Sequence, residues 1–440
     1  MIRLISVFIA FLTALPVWAA VDIQQVKSPG GLTAWLVQEP SIPFVALEIA
    51  FEGGASLDEP GKRGATSLMT SLLEEGAADM DAREFARSVE SLAASFSYDV
   101  GDDALSVSAR FLTENRDQAV ELLRASLVQP RFDEDAVERV RAQLLQNIRS
   151  NAKDPDRIAR REFDAIIYGT DHPYGSSSDG TLESVGALTR EDLLTAHKNI
   201  LARDRVVIGA VGDIDPETLG LLLDRLLGEL PATGAPLPEK IDPDIEPGLT
   251  VVPFDTPQSV AIFGHEGIPQ DHPDFFPAFL LNQIMGAGGF ESRLTQEVRV
   301  KRGLTYGIYS YLATKKLAAT YQGSVSSAND RIAEAIDVVQ DEWRDIAENG
   351  VTAQELEDAK LYLTGAYPLR FDGNGRIAGI LVGMQRQGLP IDYIPTRNDK
   401  VNAVTLEQAN AVAKWLYQPD NLHFVVVGQP TGLEDSAAGN

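Results

Sequence analysis

Two stretches of this 440-residue sequence repeat one another: LTREDLLTAHKNILARDRVVIGAVGD, Leu188 to Asp213, and VTLEQANAVAKWLYQPDNLHFVVVGQ, Val404 to Gln429. Thr189 corresponds to Thr405, 216 positions further on. Each stretch combines a capping threonine, a helical apolar pattern, a short polar turn and a β-branched run that ends in glycine. A period this long predicts two copies of a domain and not a solenoid of short repeats.

Outside the repeated stretches, strand-like segments occur in groups and helix-like segments occur in groups. Strand patterns cover 44–52 and 104–111 in the first half, and 259–264, 304–313 and 318–326 in the second. Amphipathic helix patterns cover 116–128 and 133–148, and then 330–343 and 352–369. Such clustering predicts an α+β fold, in which each half has a mainly antiparallel sheet with helices on one face.

The chain divides into four segments by composition. Residues 1–20 resemble an export signal, because one early arginine precedes an apolar run and then Val17-Trp18-Ala19, which suits a cleavage site. Residues 21–229 form the first domain, the proline-rich stretch 230–248 a linker, and residues 249–435 the second domain. We therefore expect a periplasmic protein with no membrane span after signal cleavage.

The charge and cysteine content exclude several functions. Lys and Arg total 38 against 64 Asp and Glu, a formal charge of −26. A surface this acidic repels phosphate backbones, so nucleic acid is not an expected partner. The sequence has no cysteine, which excludes disulfides, thiolate metal sites and a cysteine nucleophile.

The five histidines do not form a metal-binding pattern. No two of them lie within four residues of each other, so no helical His-x-x-x-His site exists. His265, beside Glu266, is the most suggestive, and an active site built on this pair is one hypothesis. Packing at the end of a strand explains the same residues.

A basic segment stands out in this acidic chain. FESRLTQEVRVKRGLTYGIYSY, Phe290 to Tyr311, predicts a helix over Ser292 to Lys301 and then a strand rich in tyrosine. Arginine and tyrosine side chains can donate hydrogen bonds to a carbonyl or a developing oxyanion. Structural ion pairs and core tyrosines explain the pattern equally well.

This segment resembles the C-terminal-half signature of the M16 zinc metallopeptidases, which include pitrilysin and the mitochondrial processing peptidases. In that signature a glycine-rich turn leads into Ser-Arg-Leu and then a basic Arg-Gly-Leu-x-Tyr, and the repeat and the linker extend the resemblance over most of the chain. The resemblance implies two M16-type domains that form a half-clamshell, and two half-shells that close on an unfolded peptide.

The resemblance also implies that the zinc site of the family is degenerate here. Active members carry His-x-x-Glu-His on a helix, with a distant glutamate as the third ligand. The corresponding residues in this sequence are Ser67 and Ser71 for the histidines, Thr70 for the glutamate, and Asn147 or Gln146 for the distant ligand. We expect no zinc in this chain.

A second element of the family is retained. The arginine and tyrosine that contact substrate and transition state in the family correspond to Arg299 and Tyr306. The resemblance therefore implies a non-zinc subunit that supplies Arg299 and Tyr306, paired with an His-x-x-Glu-His homologue that brings zinc. A catalytically inert structural or peptide-holding protein is the alternative.

Overall fold

The computed structural model describes residues 22–243 and 245–434. The export signal expected over residues 1–20 lies outside the described residues. Within them, no helix combines the length and the apolar character needed to cross a membrane.

The first half contains a six-stranded sheet in the order β1-β2-β8-β3-β7-β6 and a small β4-β5 hairpin. Its strands are β1 Gln24–Lys27, β2 Thr33–Gln38, β3 Phe44–Glu52, β4 Gly76–Ala77, β5 Met80–Asp81, β6 Ser95–Val100, β7 Ala104–Leu112 and β8 Val206–Gly212. Its helices are α1 Ala65–Ser71, α2 Ala82–Ser91, α3 Arg116–Val128, α4 Glu134–Asn151, α5 Pro155–Tyr168, α6 Leu182–Ala187, α7 Arg190–Ile200 and α8 Pro216–Leu227.

The second half contains a five-stranded sheet in the order β11-β12-β10-β13-β9. Its strands are β9 Gly248–Pro253, β10 Gln258–Glu266, β11 Thr305–Thr314, β12 Ala319–Ala328 and β13 His423–Gly428. Its helices are α9 Phe275–Asn282, α10 Ile332–Asn349, α11 Ala353–Ala366, α12 Asn374–Arg386, α13 Tyr393–Ala403 and α14 Leu406–Leu416.

The two sheets share one topology. Strands β2-β8-β3-β7-β6 of the first half correspond in order to β9-β13-β10-β12-β11 of the second, and in each sheet only the first of these pairings is parallel. Thr189 and Thr405 both form capping boxes, at the starts of α7 and α14. The expected α+β fold with two repeated domains is therefore confirmed.

Each domain buries its own helices against one face of its sheet. Alternate residues of β10 separate the two faces: Phe263 packs with Trp343 of α10, whereas Ile262 packs with Phe163 of α5. This alternation is what a strand buried on both sides requires.

The second face of each sheet is covered by a helix from the other half. Helix α5 of the first half packs on β10 and β13, and α12 of the second half packs on β3 and β8. The helices that each domain packs on its own sheet were predicted from the sequence. The helix from the other half was not predicted, because the pattern of a helix shows that it is amphipathic but not which sheet it covers.

The segment between the domains follows the protein surface. The described residues between Pro231 and Pro247 form neither helix nor strand. The backbone of Ile241 donates to the carbonyl of Leu317 at 2.8 Å, and Ile241 packs beside Val260 and Phe163. The proline-rich stretch is thus anchored to the second domain over part of its length.

Candidate functional site

The helix that corresponds to the zinc motif is built as a packing element. Gly64 precedes α1 with a left-handed backbone, φ 94°, and any Cβ there would meet the carbonyl oxygen of Asp179 at 2.6 Å. Ser67, on the first turn, is buried and donates its hydroxyl proton to the carbonyl of Ser178 at 2.8 Å. The serine at the first histidine position therefore attaches α1 to the loop before α6.

The other positions of the motif offer no metal ligands. Ser71 Oγ donates to the carbonyl of Ser67 one turn earlier, at 3.0 Å. Thr70 is buried, and its hydroxyl has no hydrogen-bond partner among the residues that the structure describes. Asn147 is exposed on α4, where its side-chain amide oxygen accepts from the side-chain amide of Gln143 at 3.0 Å.

This donor set does not fit zinc. Zinc sites in proteins use thiolate, imidazole and carboxylate ligands, and neutral hydroxyl and amide groups are poor substitutes. Across residues 22–243 and 245–434, no cluster of three or more His, Cys, Asp or Glu is arranged to hold a metal ion.

The basic segment separates into paired cations and one unpaired arginine. Arg293 bonds Glu355 at 2.7 Å and Asp345 at 2.9 Å. Lys301 and Arg302 both bond the carboxylate of Glu297. Three of the four cations therefore have structural partners, as the packing interpretation expects.

Arg299 is the exception. Among the described residues it has no ion pair and no hydrogen bond, and its guanidinium lies over the ring of Phe290, 4.6 Å from the ring centre. It is carried by a π-helical segment, Thr295–Lys301, where an α-helix was expected. Such π-turns occur often at functional sites, because the wider turn redirects side chains. The local geometry leaves the donors of Arg299 free.

Tyr306 lies beyond this helix in an irregularity of β11, an edge strand. Thr305 pairs with Ser327 of β12 but Ile308 pairs with Val325, so one extra residue is inserted between them. The bulge leaves the Tyr306 side chain 85% exposed. Bulges at sheet edges commonly aim a side chain at a site. Arg299 and Tyr306, seven positions apart in the sequence, therefore both have side-chain donors without a partner in the described chain.

A further arginine, which was not predicted from the sequence, contacts the tyrosines of β11. Arg160, on α5 of the first half, donates to the hydroxyls of Tyr309 at 2.9 Å and Tyr311 at 3.3 Å. The two tyrosine rings stack with their centres 6.1 Å apart. Nothing in the local sequence marks Arg160, because its partners are about 150 residues away.

A cavity of about 1020 Å³ opens beside α5, α4 and the loop that Ser67 anchors. It is lined by charged and polar side chains that include Arg63, Asp102, Arg160, Asp164 and Ser176. Burial raises the pKa of Asp164 to about 6, against the attraction of nearby Lys315. The walls of this cavity come from segments far apart in the chain, so no local sequence pattern predicts it.

The hypothesis of an active site on His265 and Glu266 fails on geometry. His265 is buried, and its Nδ1 donates to the carbonyl of Glu266 at 2.6 Å. Its Nε2 accepts from the indole of Trp343 at 3.0 Å. Burial lowers the pKa of His265 to about 4, so the ring is neutral and both nitrogens are used in packing.

Two family models match most of the chain. Residues 33–177 match the family model described as insulinase, peptidase family M16, and residues 187–363 match the model described as peptidase M16 inactive domain. A solved structure of a peptidase M16 inactive domain from Pseudomonas fluorescens superposes with a TM-score of 0.87 at 29% identity, covering 94% of this chain and 99% of that one.

Curated relatives cover nearly the whole chain as well. A Helicobacter pylori protein named non-peptidase homolog YmxG is 26% identical over 387 residues, covering 88% of this chain and 89% of the relative. A Bacillus subtilis protein named uncharacterized zinc protease YmxG is 24% identical and covers 90% of this chain and 96% of its own length. Because the two M16 models together match residues 33–177 and 187–363, the chain belongs to peptidase family M16.

Proposed function

We propose that this chain is the non-zinc subunit of a heterodimeric periplasmic M16 metallopeptidase. In this proposal it contributes Arg299 and Tyr306 to a peptide-binding chamber, and an His-x-x-Glu-His homologue contributes the zinc. The observation that carries the proposal is the contrast within one segment: Arg299 and Tyr306 have free donors, whereas the neighbouring cations are bound to carboxylates.

The chemistry of these two residues suits a peptide backbone. A guanidinium and a phenol can both donate to the carbonyl oxygen of a bound peptide. Such donors stabilise the negative charge that develops on that oxygen during hydrolysis. An extended peptide also presents its backbone whatever its side chains are, which suits a chain whose substrate is unfolded.

The second candidate is a catalytically inert protein that holds peptides or has a structural role. The name of the H. pylori relative, a non-peptidase homologue, favours it. In this alternative the free donors of Arg299 and Tyr306 bind a peptide that is never cleaved. The two candidates differ in whether a complex with a zinc-bearing homologue hydrolyses peptide and needs these residues to do so.

The deciding experiment is co-expression with the His-x-x-Glu-His homologue from the same genome. This chain has a mass of 47.7 kDa. We expect size-exclusion chromatography to show a complex of about twice that mass. We expect that complex to cleave unfolded peptides in a chelator-sensitive way, and this chain alone to be inactive. A chain that stays monomeric beside every such homologue would contradict the proposal, and a stable complex without activity would favour the inert alternative.

A further inference from the structure

We infer that Arg160, a residue of the first half, positions the strand of the second half that carries Tyr306. The inference rests on the proposed function and adds a positioning residue to it. In this inference the second half of the chain carries Arg299 and Tyr306, and the first half contributes Arg160, which holds the strand of Tyr306 in place.

The bulge in β11 places Tyr306 on the face of the sheet that α5 covers. The β12 partners of Thr305 and Ile308 are Ser327 and Val325, which are two residues apart and so lie on the same face of the sheet. Thr305 and Ile308 therefore also share one face, the face that α10 covers. In a regular strand, residues an odd number apart point to opposite faces. The extra residue therefore puts Tyr306 and Gly307 together on the opposite face, which is also the face of Tyr309 and Tyr311.

Arg160 contacts β11 on this same face. The nearer of its two partners, Tyr309, is three residues from Tyr306, a separation of about 10 Å along the strand. Its guanidinium has no carboxylate within ion-pair distance in the described chain, and two of its nitrogens donate to the phenols of Tyr309 and Tyr311. Tyr311 in turn donates to Gln322 of β12 at 2.6 Å, and Gln322 donates to Thr320 at 2.9 Å. This continuous polar network joins α5 to the two strands.

The far end of β11 is also held by the first half. Lys315, in the turn after β11, pairs with Asp102 at 3.0 Å and lies over the ring of Tyr174, 4.4 Å from its centre. The backbone of Leu317 donates to the hydroxyl of Tyr174 at 3.1 Å. Because β11 is an edge strand, it pairs with β12 on one side and has no strand on the other. The contacts from the first half restrain β11 in place of a second neighbouring strand. In the described part of the chain, no hydrogen bond or ion pair from the first half reaches Tyr306 at the other end of β11.

The first test measures the position of Tyr306 without any catalysis. Fluorotyrosine is placed at residue 306 of the full chain, and its ¹⁹F resonance is recorded in the Arg160→Met variant. We expect a shifted or broadened resonance. Arg161→Met is the matched control, because Arg161 is on the same helix and pairs with its neighbour Glu162 at 2.9 Å. An unchanged resonance in a folded Arg160→Met variant would overturn the inference even if the proposed function holds.

The second test uses the complex with the zinc-bearing homologue. We expect Arg160→Met to lower kcat roughly tenfold with little change in KM, since a small misplacement of a contributing group is costly. Arg160→Lys keeps the positive charge but cannot bond both tyrosines through two guanidinium nitrogens, so it should recover only part of the lost kcat. The melting temperature of each variant shows whether it is folded. In a Tyr306→Phe background, Arg160→Met should cause no further loss.

The two arms separate the possible failures. If Arg160→Met and Tyr306→Phe lower kcat independently, so that their effects multiply, Arg160 does not act through Tyr306 and the inference is wrong. If Tyr306→Phe is silent in turnover, the proposed function fails, while the ¹⁹F measurement still decides whether Arg160 sets the position of residue 306.

Discussion

The guanidinium of Arg299 lies 4.6 Å from the centre of the Phe290 ring, and Phe290 is itself more than half exposed. A cation above an aromatic face is held without using its hydrogen-bond donors. Phe290 can therefore orient Arg299 and leave its N–H groups available for a peptide. An acidic partner would hold the arginine but would also occupy those groups.

The first prediction concerns the two donors themselves. In the assembled complex, Arg299→Ala or Tyr306→Phe should lower turnover by roughly 10²–10³ while assembly stays intact, because each change removes one donor to a developing charge. Steady-state peptide hydrolysis and size-exclusion chromatography measure the two effects. Lys301→Ala and Arg302→Ala are the controls, since Glu297 already neutralises both. Equal losses in all four variants would point to bulk electrostatics.

The second prediction tests the cation–aromatic contact. Phe290→Leu keeps an apolar side chain but removes the ring, and a contact of this kind at an exposed site is worth about 0.5–1 kcal/mol. We expect turnover of the complex to fall roughly two- to fivefold and the melting temperature to fall by no more than about 4 °C. Phe290→Tyr, which retains the ring, should behave like the natural chain; a loss as large as that of Phe290→Leu would show that the ring does not orient Arg299.

The third prediction concerns the helix at the degenerate zinc positions. Ser67→Ala should lower the free energy of unfolding by about 1 kcal/mol, because the partly buried carbonyl of Ser178 loses its donor. Ser71→Ala should change it by less than about 0.5 kcal/mol, since that exposed hydroxyl only bonds its own helix. Denaturant unfolding measures both. Equal effects would contradict the anchoring role of Ser67.

The fourth prediction concerns metal content. The purified chain should contain no stoichiometric zinc, because Ser67, Thr70, Ser71 and Asn147 present hydroxyl and amide groups in place of imidazole and carboxylate. Elemental analysis of the dialysed protein measures this directly. About one zinc per chain, lost when Ser67 and Ser71 are both replaced by alanine, would contradict the proposed division of labour between two subunits.

The fifth prediction concerns Asp164, whose pKa is raised from 3.8 to about 6 by burial, despite Lys315 and Arg160 and with Asp102 adding to the rise. The folded state therefore holds a proton that the unfolded state has lost, and this contribution to stability decreases as pH rises through about 6. Asp164→Asn mimics the protonated form, so its melting temperature should exceed that of the natural chain at about pH 7.5 and by less at about pH 5. A pH-independent difference would show that Asp164 does not titrate in this range.

The sequence alone determined the elements and their duplication. Thr189 and Thr405 act as helix caps through their nearest neighbours, and alternating apolar residues mark 44–52 and 104–111 as strands, so these features are local and can be read from spacing. The M16 relationship and the loss of imidazole at Ser67 and Ser71 likewise followed from residue identity at aligned positions.

Only the tertiary structure decided which cations are free and which helix supports which sheet. Glu297 pairs with Lys301 and Arg302 but not with Arg299. All three cations lie within five positions of Glu297, so their spacing does not predict which of them it pairs with. The contact of Arg160 with Tyr309 joins residues 149 positions apart across two domains. Periodicity describes one element at a time, whereas such contacts depend on how elements pack. The unpaired state of Arg299 and the support from Arg160 therefore became visible only in the folded chain.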